Sequence, residues 1–165
     1  MSDWFVKNVR DAFWVDHDKF GASGHFEPAP GAFEQLGINI RVLEPGQPNC
    51  LYHRENLQED FLVLAGEPLL LVDGEERPLK AWDFVHMPPD VDHVFVGAGD
   101  GPSVILMAGA RSPDEKLFYP RAEVAVKHGA AAEKDTPEPD QAYAPFGERR
   151  MGERPGSWDS LPWAE

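Results

Sequence analysis

Two short stretches of the sequence bring imidazole and carboxylate side chains together. The first contains His53, Glu55 and Glu59, and the second, Val-Asp-His-Val-Phe, contains His93. Residues two apart on an extended strand point to the same face, so His53 and Glu55 should share a face, and Glu59 keeps that parity across a turn. Imidazole and carboxylate groups together suit a divalent transition metal such as iron, manganese, nickel or zinc. Such groups on neighbouring strands can hold a metal and leave a coordination position open, as a catalytic site requires.

Three further residues with reactive or charged side chains receive a simpler interpretation. His86 lies outside both stretches and is predicted to be a structural or surface histidine. Cys50, the single cysteine, is predicted to be a buried small residue and not a nucleophile. Arg41 has the opposite parity to Ile40 and Val42, and we therefore expect it to be a solvated strand residue.

The residues between 37 and 110 must position these groups, and their pattern is that of short strands. Apolar and polar side chains alternate from Ile38 to Val42, as in a half-buried strand. The sequence Asp73-Gly74 between two apolar runs is the strongest short-range signal for a β-hairpin. Roughly seven or eight short strands in this span predict an all-β closed barrel or sandwich.

The two flanking segments differ from this central one. Residues 1–36 combine aromatic side chains with turn signals, which predicts an arm of one or two strands and loops. In residues 111–165, Pro120 and Gly129 bracket one predicted short helix, and a second is expected after Pro137. The tail also contains Trp158 and Trp163, which predict that it packs on the barrel or on a partner subunit.

The central segment resembles the cupin superfamily in two motifs. The first motif matches at His53, Glu59 and Gly66, and the second matches at Pro88 and His93. The resemblance implies a cupin double-stranded β-helix, or jelly-roll barrel, over residues 37–110, followed by a short helical and irregular C-terminal extension. It also implies that His53, Glu59 and His93 are metal ligands inside the barrel.

The chain departs from the superfamily pattern at one position that bears on the chemistry. Glu55 stands where the first motif has its second histidine, which is the place of the fourth ligand. A second carboxylate would make the site harder and would favour iron or manganese. Glu55 is thus a candidate metal ligand and also a candidate catalytic base, because desolvation raises the pKa of a carboxyl group. A third interpretation places it at the rim of the site.

The resemblance implies several functions. The first hypothesis is a metal-dependent enzyme of the oxygenase, isomerase or decarboxylase type that acts on a small organic molecule. The second is a non-catalytic module that binds or senses a small ligand or a metal. A third is a metal-free sugar-nucleotide isomerase or epimerase, which needs a histidine and tyrosine acid–base pair. A cupin that has lost its metal and keeps these groups as a buried polar network is also consistent with the residues.

Composition limits the partners and the compartment. The formal net charge is -14, and an acidic surface repels phosphate backbones, so no nucleic-acid partner is expected. A single cysteine allows no intrachain disulfide, and the sequence shows no signal peptide and no apolar run of membrane-spanning length. We therefore expect a cytoplasmic protein. The resemblance further implies a homodimer.

Overall fold

Short strands dominate the fold. The computed structural model describes residues 4–164. Two short α-helices lie in the C-terminal part, α1 (Glu123–Lys127) and α2 (Pro139–Tyr143). The strands are β1 (Phe13–His17), β2 (Gly21–His25), β3 (Leu36–Leu43), β4 (Arg54–Glu55), β5 (Glu59–Ala65), β6 (Leu69–Val72), β7 (Glu75–Pro78), β8 (Phe84–Met87), β9 (His93–Val96), β10 (Ser103–Ala110), β11 (Leu117–Phe118) and β12 (Arg150–Met151).

The strands form one large sheet and two small ones, and every described strand pair is antiparallel. The large sheet has the order β12-β1-β2-β3-β10-β5-β8, and the smaller sheets have the orders β7-β6-β9 and β11-β4. Side chains of the seven-stranded and three-stranded sheets meet in one core cluster, which contains Leu43, Phe61, Leu70, Met87, Phe95, Ile105 and Met107. This arrangement confirms the predicted all-β jelly-roll architecture.

The predicted hairpin is present between β6 and β7. Val72 pairs with Glu75 across the turn. Both turn residues have positive φ, 46° at Asp73 and 81° at Gly74. Asp-Gly accommodates this backbone because aspartate tolerates, and glycine readily adopts, the left-handed region that a tight hairpin requires.

The inner face of β3 is the opposite of the one that the sequence suggests. Ile40 and Val42 pack in a second cluster with Trp14, on the outer side of the large sheet. Leu43 belongs to the core between the sheets, and Arg41, two residues before it on the same strand, therefore shares its face. The expectation that Arg41 is a solvated residue is wrong, because the apolar alternation of β3 faces the covering tail and not the barrel interior.

The C-terminal tail covers that outer side within the same chain. The ring of Trp14 lies 5.5 Å from Trp158 in an edge-on contact and 6.0 Å from Trp163 in a stacked one. Leu161 is 5% exposed and joins the same cluster. These aromatic contacts hold the tail to the barrel. Among the described residues, no helix is long and apolar enough to cross a membrane.

Candidate metal centre

Two backbone hydrogen bonds fix the two histidines opposite each other at one end of the barrel. His53 lies immediately before β4, and His93 is the first residue of β9. The amide of His53 donates to the carbonyl of His93 at 3.1 Å, and the amide of His93 donates back at 2.8 Å. The imidazole centroids are consequently 5.0 Å apart. Glu59, the first residue of β5, lies beside them.

The two histidines, separated in sequence, converge with Glu59 on one small volume. Ligand atoms of His53, Glu59 and His93 all lie within 4.8 Å of one another. His93 Nε2 is 2.9 Å from Glu59 Oε2. Cis ligands around an ion with bonds of about 2.1 Å lie about 3 Å apart, so this separation fits two groups that share one metal.

Each imidazole is oriented by a carbonyl two residues earlier in the chain. Nδ1 of His53 is 2.9 Å from the Leu51 carbonyl oxygen, and Nδ1 of His93 is 3.0 Å from the Val91 carbonyl oxygen. A carbonyl oxygen only accepts, so Nδ1 of each ring donates its hydrogen. Nε2 of both rings is then the nitrogen directed at the centre, which is the usual arrangement for a metal-binding histidine.

The hydrogen bonding of Glu59 Oε2 tests whether His53, Glu59 and His93 fit a metal. The atom is buried and has no well-aligned hydrogen-bond donor, although His93 Nε2 is only 2.9 Å away. A buried carboxylate oxygen without a donor is unfavourable. His93 Nε2 and Glu59 Oε2 are close but not aligned for a hydrogen bond with each other. Both atoms can therefore direct their lone pairs at one common position. A cation at that position satisfies both, so the residues fit a divalent metal.

The protonation states favour cation binding. Burial, and then the neighbouring His93, lowers the pKa of His53 to about 4, so the ring is neutral at neutral pH and has a free lone pair. Burial by itself would raise the pKa of Glu59, but the adjacent His93 and Glu55 side chains hold that pKa below its usual value. Glu59 is therefore a carboxylate, which supplies the negative charge of the site.

Glu55 lies next to this cluster but is not one of its three converging groups. Burial, and then the hydrogen bond and charge of Glu59, raises the pKa of Glu55, with a smaller contribution from Glu115. Two carboxyl groups this close share a proton, and here Glu55 carries it. The neutral acid donates to Glu59, so Glu55 supports a ligand in this state. Its assignment as a fourth ligand stays a prediction.

The other candidate residues lie outside the cluster. His86 has a side chain that is 52% exposed and is paired with Asp60 at 2.7 Å, so it is a surface residue. Burial raises the pKa of the Cys50 thiol to about 12, which makes it a poor nucleophile. Its Sγ lies 3.6 Å from Nδ1 of His53, but that nitrogen already donates to a carbonyl group.

The sequence interpretation missed one residue beside the cluster, Tyr119, and misassigned one residue of β3, Arg41. Tyr119, 4% exposed, stacks on His53 with centroids 5.8 Å apart, and it lies outside both motifs, so no local pattern marks it. Arg41 faces the interior from β3. Its signal was present in the sequence, because Val42 and Leu43 are both apolar, and a strand with adjacent apolar residues is covered on both faces.

Known proteins resemble this chain over its central part. Residues 39–109 match the family model described as "Cupin domain", and no curated protein matches the chain. Among solved structures, a sugar phosphate isomerase from a cupin superfamily, from Silicibacter pomeroyi, has 26% identity and a TM-score of 0.60, covering 68% of this chain and 79% of its own. A predicted oxalate decarboxylase from Thermotoga maritima has 17% identity and a TM-score of 0.57, covering 66% and 100%. The polyketide cyclase RemF from Streptomyces resistomycificus has 12% identity and a TM-score of 0.57, covering 68% and 83%.

Proposed function

Since this chain is a cupin-superfamily protein with a cupin domain over residues 39–109, we propose that it is a metal-dependent enzyme acting on a small organic molecule. His53, Glu59 and His93 hold a divalent transition metal. The reaction belongs to the oxygenase, isomerase or decarboxylase type. The proposal combines the fold with the chemistry of the site, because the fold alone is compatible with many reactions.

One observation supports the proposal above the others. Both histidines use Nδ1 on a backbone carbonyl group, and the remaining ligand atoms meet at a buried carboxylate oxygen that has no aligned donor. A polar network that had lost its metal would instead pair these atoms with each other in good geometry. Two imidazoles and one carboxylate leave further coordination positions for substrate or water.

The chain contributes more than the three ligands. A bound divalent ion would supply Lewis acidity, polarising a carbonyl or hydroxyl group of the substrate. Glu55, a neutral acid beside Glu59, can donate a proton and accept it back, which is the role of a general acid–base. The ring of Phe61 lies 5.6 Å from that of His93 and excludes water from one side. The carboxylate next to two imidazoles favours iron or manganese over softer ions.

Metal analysis tests the proposal directly. Protein purified without chelator should contain about one transition-metal ion per chain. His53→Ala should reduce this to a small fraction. His86→Ala is the matched control, because its imidazole is exposed and bound to Asp60, and it should keep the full metal content. Sub-stoichiometric metal in the wild-type protein after reconstitution with iron, manganese, nickel and zinc would contradict the proposal.

A non-catalytic binding or sensing module is the alternative within the same fold. The two functions differ in whether a coordination position is open to exchange. The protein loaded with Mn²⁺ should enhance the relaxation rate of water protons if water occupies an exchangeable position, as an enzyme requires. A closed coordination shell would give no enhancement beyond the outer-sphere level and would favour the module.

The metal-free acid–base hypothesis has one structural feature in its favour. Tyr119 stacks on His53, so a histidine and a tyrosine are adjacent. However, burial raises the pKa of Tyr119 further above its usual range, which disfavours the phenolate that such a reaction needs. Activity that survives complete removal of metal by a chelator would support this hypothesis over the metal-dependent one.

We further propose a cytoplasmic homodimer. The single cysteine fits a reducing compartment. Large apolar side chains are exposed near the edge strand β8, with Trp82 73% and Phe84 63% exposed, and exposed aromatic groups of this size are common at interfaces. Sedimentation of the wild-type protein and of Phe84→Ser would test the dimer. A monomer at micromolar concentration would contradict it.

A further inference from the structure

A large cavity lies apart from the metal cluster, between β1, the loop of residues 27–31 and the C-terminal tail. Its volume is about 600 Å³, which is within the range of small-molecule sites. Val15 and Arg149 line this outer cavity and also a smaller one of about 60 Å³, the Arg41 pocket, so the two cavities adjoin. None of the three candidate metal ligands lines either cavity. The two cavities together therefore form a second candidate site.

The lining of the two cavities carries an excess of positive charge. The side chains that are charged at neutral pH are the cations Lys7, Arg41, Arg111 and Arg149 and the carboxylates Asp11 and Glu27. Two positive charges are therefore in excess here, although the formal net charge of the chain is -14. A cleft lined by an excess of one sign of charge concentrates ligands of the opposite sign, so the expected ligand is an anion.

Two of these cations, Arg41 and Arg149, have no carboxylate partner among residues 4–164. Arg41 Nε is buried, and no acceptor in the described part of the chain satisfies it. Arg111, in contrast, donates to Glu27 at 2.6 and 3.0 Å, so its charge is balanced within the cavity wall. A buried guanidinium without an acceptor is unfavourable unless a ligand supplies one.

The unpaired guanidiniums of Arg41 and Arg149 are close enough to repel each other. Both residues line the Arg41 pocket. Burial lowers the pKa of Arg41, and the charge of Arg149 lowers it further. Burial also lowers the pKa of the adjacent His25, and the charges of Arg41 and Arg149 add to this effect, so His25 is neutral at neutral pH. An anion between the two guanidiniums would relieve the repulsion.

The other polar groups around the Arg41 pocket already have partners. Nδ1 of His17 accepts from the Lys19 amide at 2.9 Å, so this ring is neutral, and its Nε2 lies 2.9 Å from the Gly147 carbonyl oxygen. Ser23 Oγ is 2.9 Å from His25 Nε2. The free hydrogen-bonding capacity of the pocket therefore consists mainly of guanidinium donors, which an oxyanion can satisfy.

From this geometry we propose that the two adjoining cavities bind a phosphate monoester, with its phosphate group between Arg41 and Arg149. The proposal goes beyond the proposed metal-dependent function and does not depend on it. A phosphate monoester carries a charge of about -1.5 to -2 at neutral pH, which matches the excess of two positive charges. Its three terminal oxygens can accept from both guanidiniums, whereas a carboxylate has two oxygens and is satisfied by one guanidinium fork.

The sizes of the cavities assign the two ends of the ligand. The Arg41 pocket has the volume of about two water molecules, so it accommodates one small group, and both negative charges must be on that group. The outer cavity accommodates the organic part. Phe13 and Met151 line it and are 46% and 63% exposed, and an apolar ligand would cover them.

Calorimetric titration of chelator-treated protein with phenyl phosphate, benzoate and inorganic phosphate tests the proposal at slightly alkaline pH and constant ionic strength. Phenyl phosphate should bind at one site per chain and shift the ¹H–¹⁵N resonance of the Arg41 Nε–H group in a saturable way. Benzoate lacks the second charge and should bind about tenfold more weakly or worse. Inorganic phosphate should also bind more weakly, because it covers no apolar surface.

Arg149→Gln is the decisive variant, because Arg149 is exposed and its replacement should leave the fold intact. It should bind phenyl phosphate about tenfold more weakly or worse, since it loses a charge-assisted hydrogen bond. Arg77→Gln is the matched control. Its guanidinium is 64% exposed and pairs with Glu75, outside both cavities, so this variant should bind phenyl phosphate as the wild type does.

Four results would overturn the inference. These are benzoate binding as tightly as phenyl phosphate, an unshifted Arg41 resonance in the wild-type protein, unchanged affinity in Arg149→Gln, and phenyl phosphate binding that requires bound metal. The last result would place the phosphate at the metal cluster. Binding that depends on Arg149 in a protein that takes up no metal would refute the metal centre and support this inference.

Discussion

The candidate metal cluster of His53, Glu59 and His93 and the Arg41 pocket, the small cavity lined by Arg41, Ser23 and Cys50, are two polar regions of the fold that differ in how their hydrogen-bonding groups are satisfied. At the cluster each imidazole has a carbonyl acceptor for Nδ1, and Glu55 helps to keep the candidate ligand Glu59 ionised. At the pocket, Arg41 Nε has no acceptor among the residues described. The hydrogen bonds of the cluster are formed among its own residues, whereas the pocket keeps a buried donor without an acceptor. A site for a fixed ion needs orientation of its ligands, and a site for an exchanging substrate needs free hydrogen-bonding capacity.

The apolar wall between the two regions gives the largest expected effect. Phe61 is 2% exposed, and its ring lies 4.7 Å from Phe95 and 5.6 Å from His93. Phe61→Ala should lower the free energy of unfolding by about 3–5 kcal/mol, because it removes buried area and leaves a cavity. Urea denaturation measures this. If the wall separates the regions, the variant should also lose metal affinity; unchanged metal binding would show that the cluster is held by its own hydrogen bonds alone.

Replacing the unpaired arginine gives an effect of the opposite sign. Arg41→Met keeps much of the apolar stem and removes a buried charge without a partner. We expect the free energy of unfolding to rise by about 1–3 kcal/mol, while the metal content stays that of the wild type. A clear loss of stability in Arg41→Met would mean that Arg41 is a structural residue, and the contrast between the two regions would disappear.

Arg111, which directly follows β10 and pairs with Glu27, gives a smaller, pH-dependent effect. The Arg111 hydrogen bond lowers the pKa of Glu27, against the opposing effect of burial. A carboxyl group with a lowered pKa in the folded state stabilises the fold above its ordinary pKa, and this contribution is lost as the pH falls through the folded-state value. Glu27→Gln should therefore cost about 1 kcal/mol at pH 7. The difference from the wild type should begin to shrink as the pH falls below about 4.3, the ordinary pKa of a glutamate, and should disappear below the lowered pKa of folded Glu27. A difference that does not depend on pH would contradict this account.

The candidate ligands could be predicted from the sequence because their signals are local. The spacing of His53 and Glu59 within the first motif, and the place of His93 between turns, identified the three groups that the structure brings together. The hairpin at Asp73-Gly74 and the short-strand pattern were also local, since turn chemistry and side-chain alternation depend on neighbouring residues. The state of Glu55 was not predictable, because its proton depends on the distance to Glu59.

The location of Arg41 shows where the sequence interpretation went wrong. Alternation along β3 establishes that Ile40 and Val42 lie on one face and Arg41 on the other. The alternation does not determine which of the two faces lines the barrel interior. The orientation of β3 depends on the C-terminal tail. Leu161 and the tryptophans near it cover the outer face, where Ile40 and Val42 pack against them. The segment that decides the orientation lies more than a hundred residues away.

The resemblance to the cupin superfamily implied the jelly-roll architecture, and the sequence by itself determined the pattern of short strands, one hairpin turn and the three groups suited to a metal. Each of these depends on residue type and on spacing along a few strands. Only the tertiary structure decided that Nε2 of both imidazoles faces the centre, that Glu55 holds a proton against Glu59, and that an arginine lies unpaired inside the barrel. The physical reason is that hydrogen-bond partners, pKa values and burial are set by atoms that are close in space, and here those atoms come from distant parts of the chain.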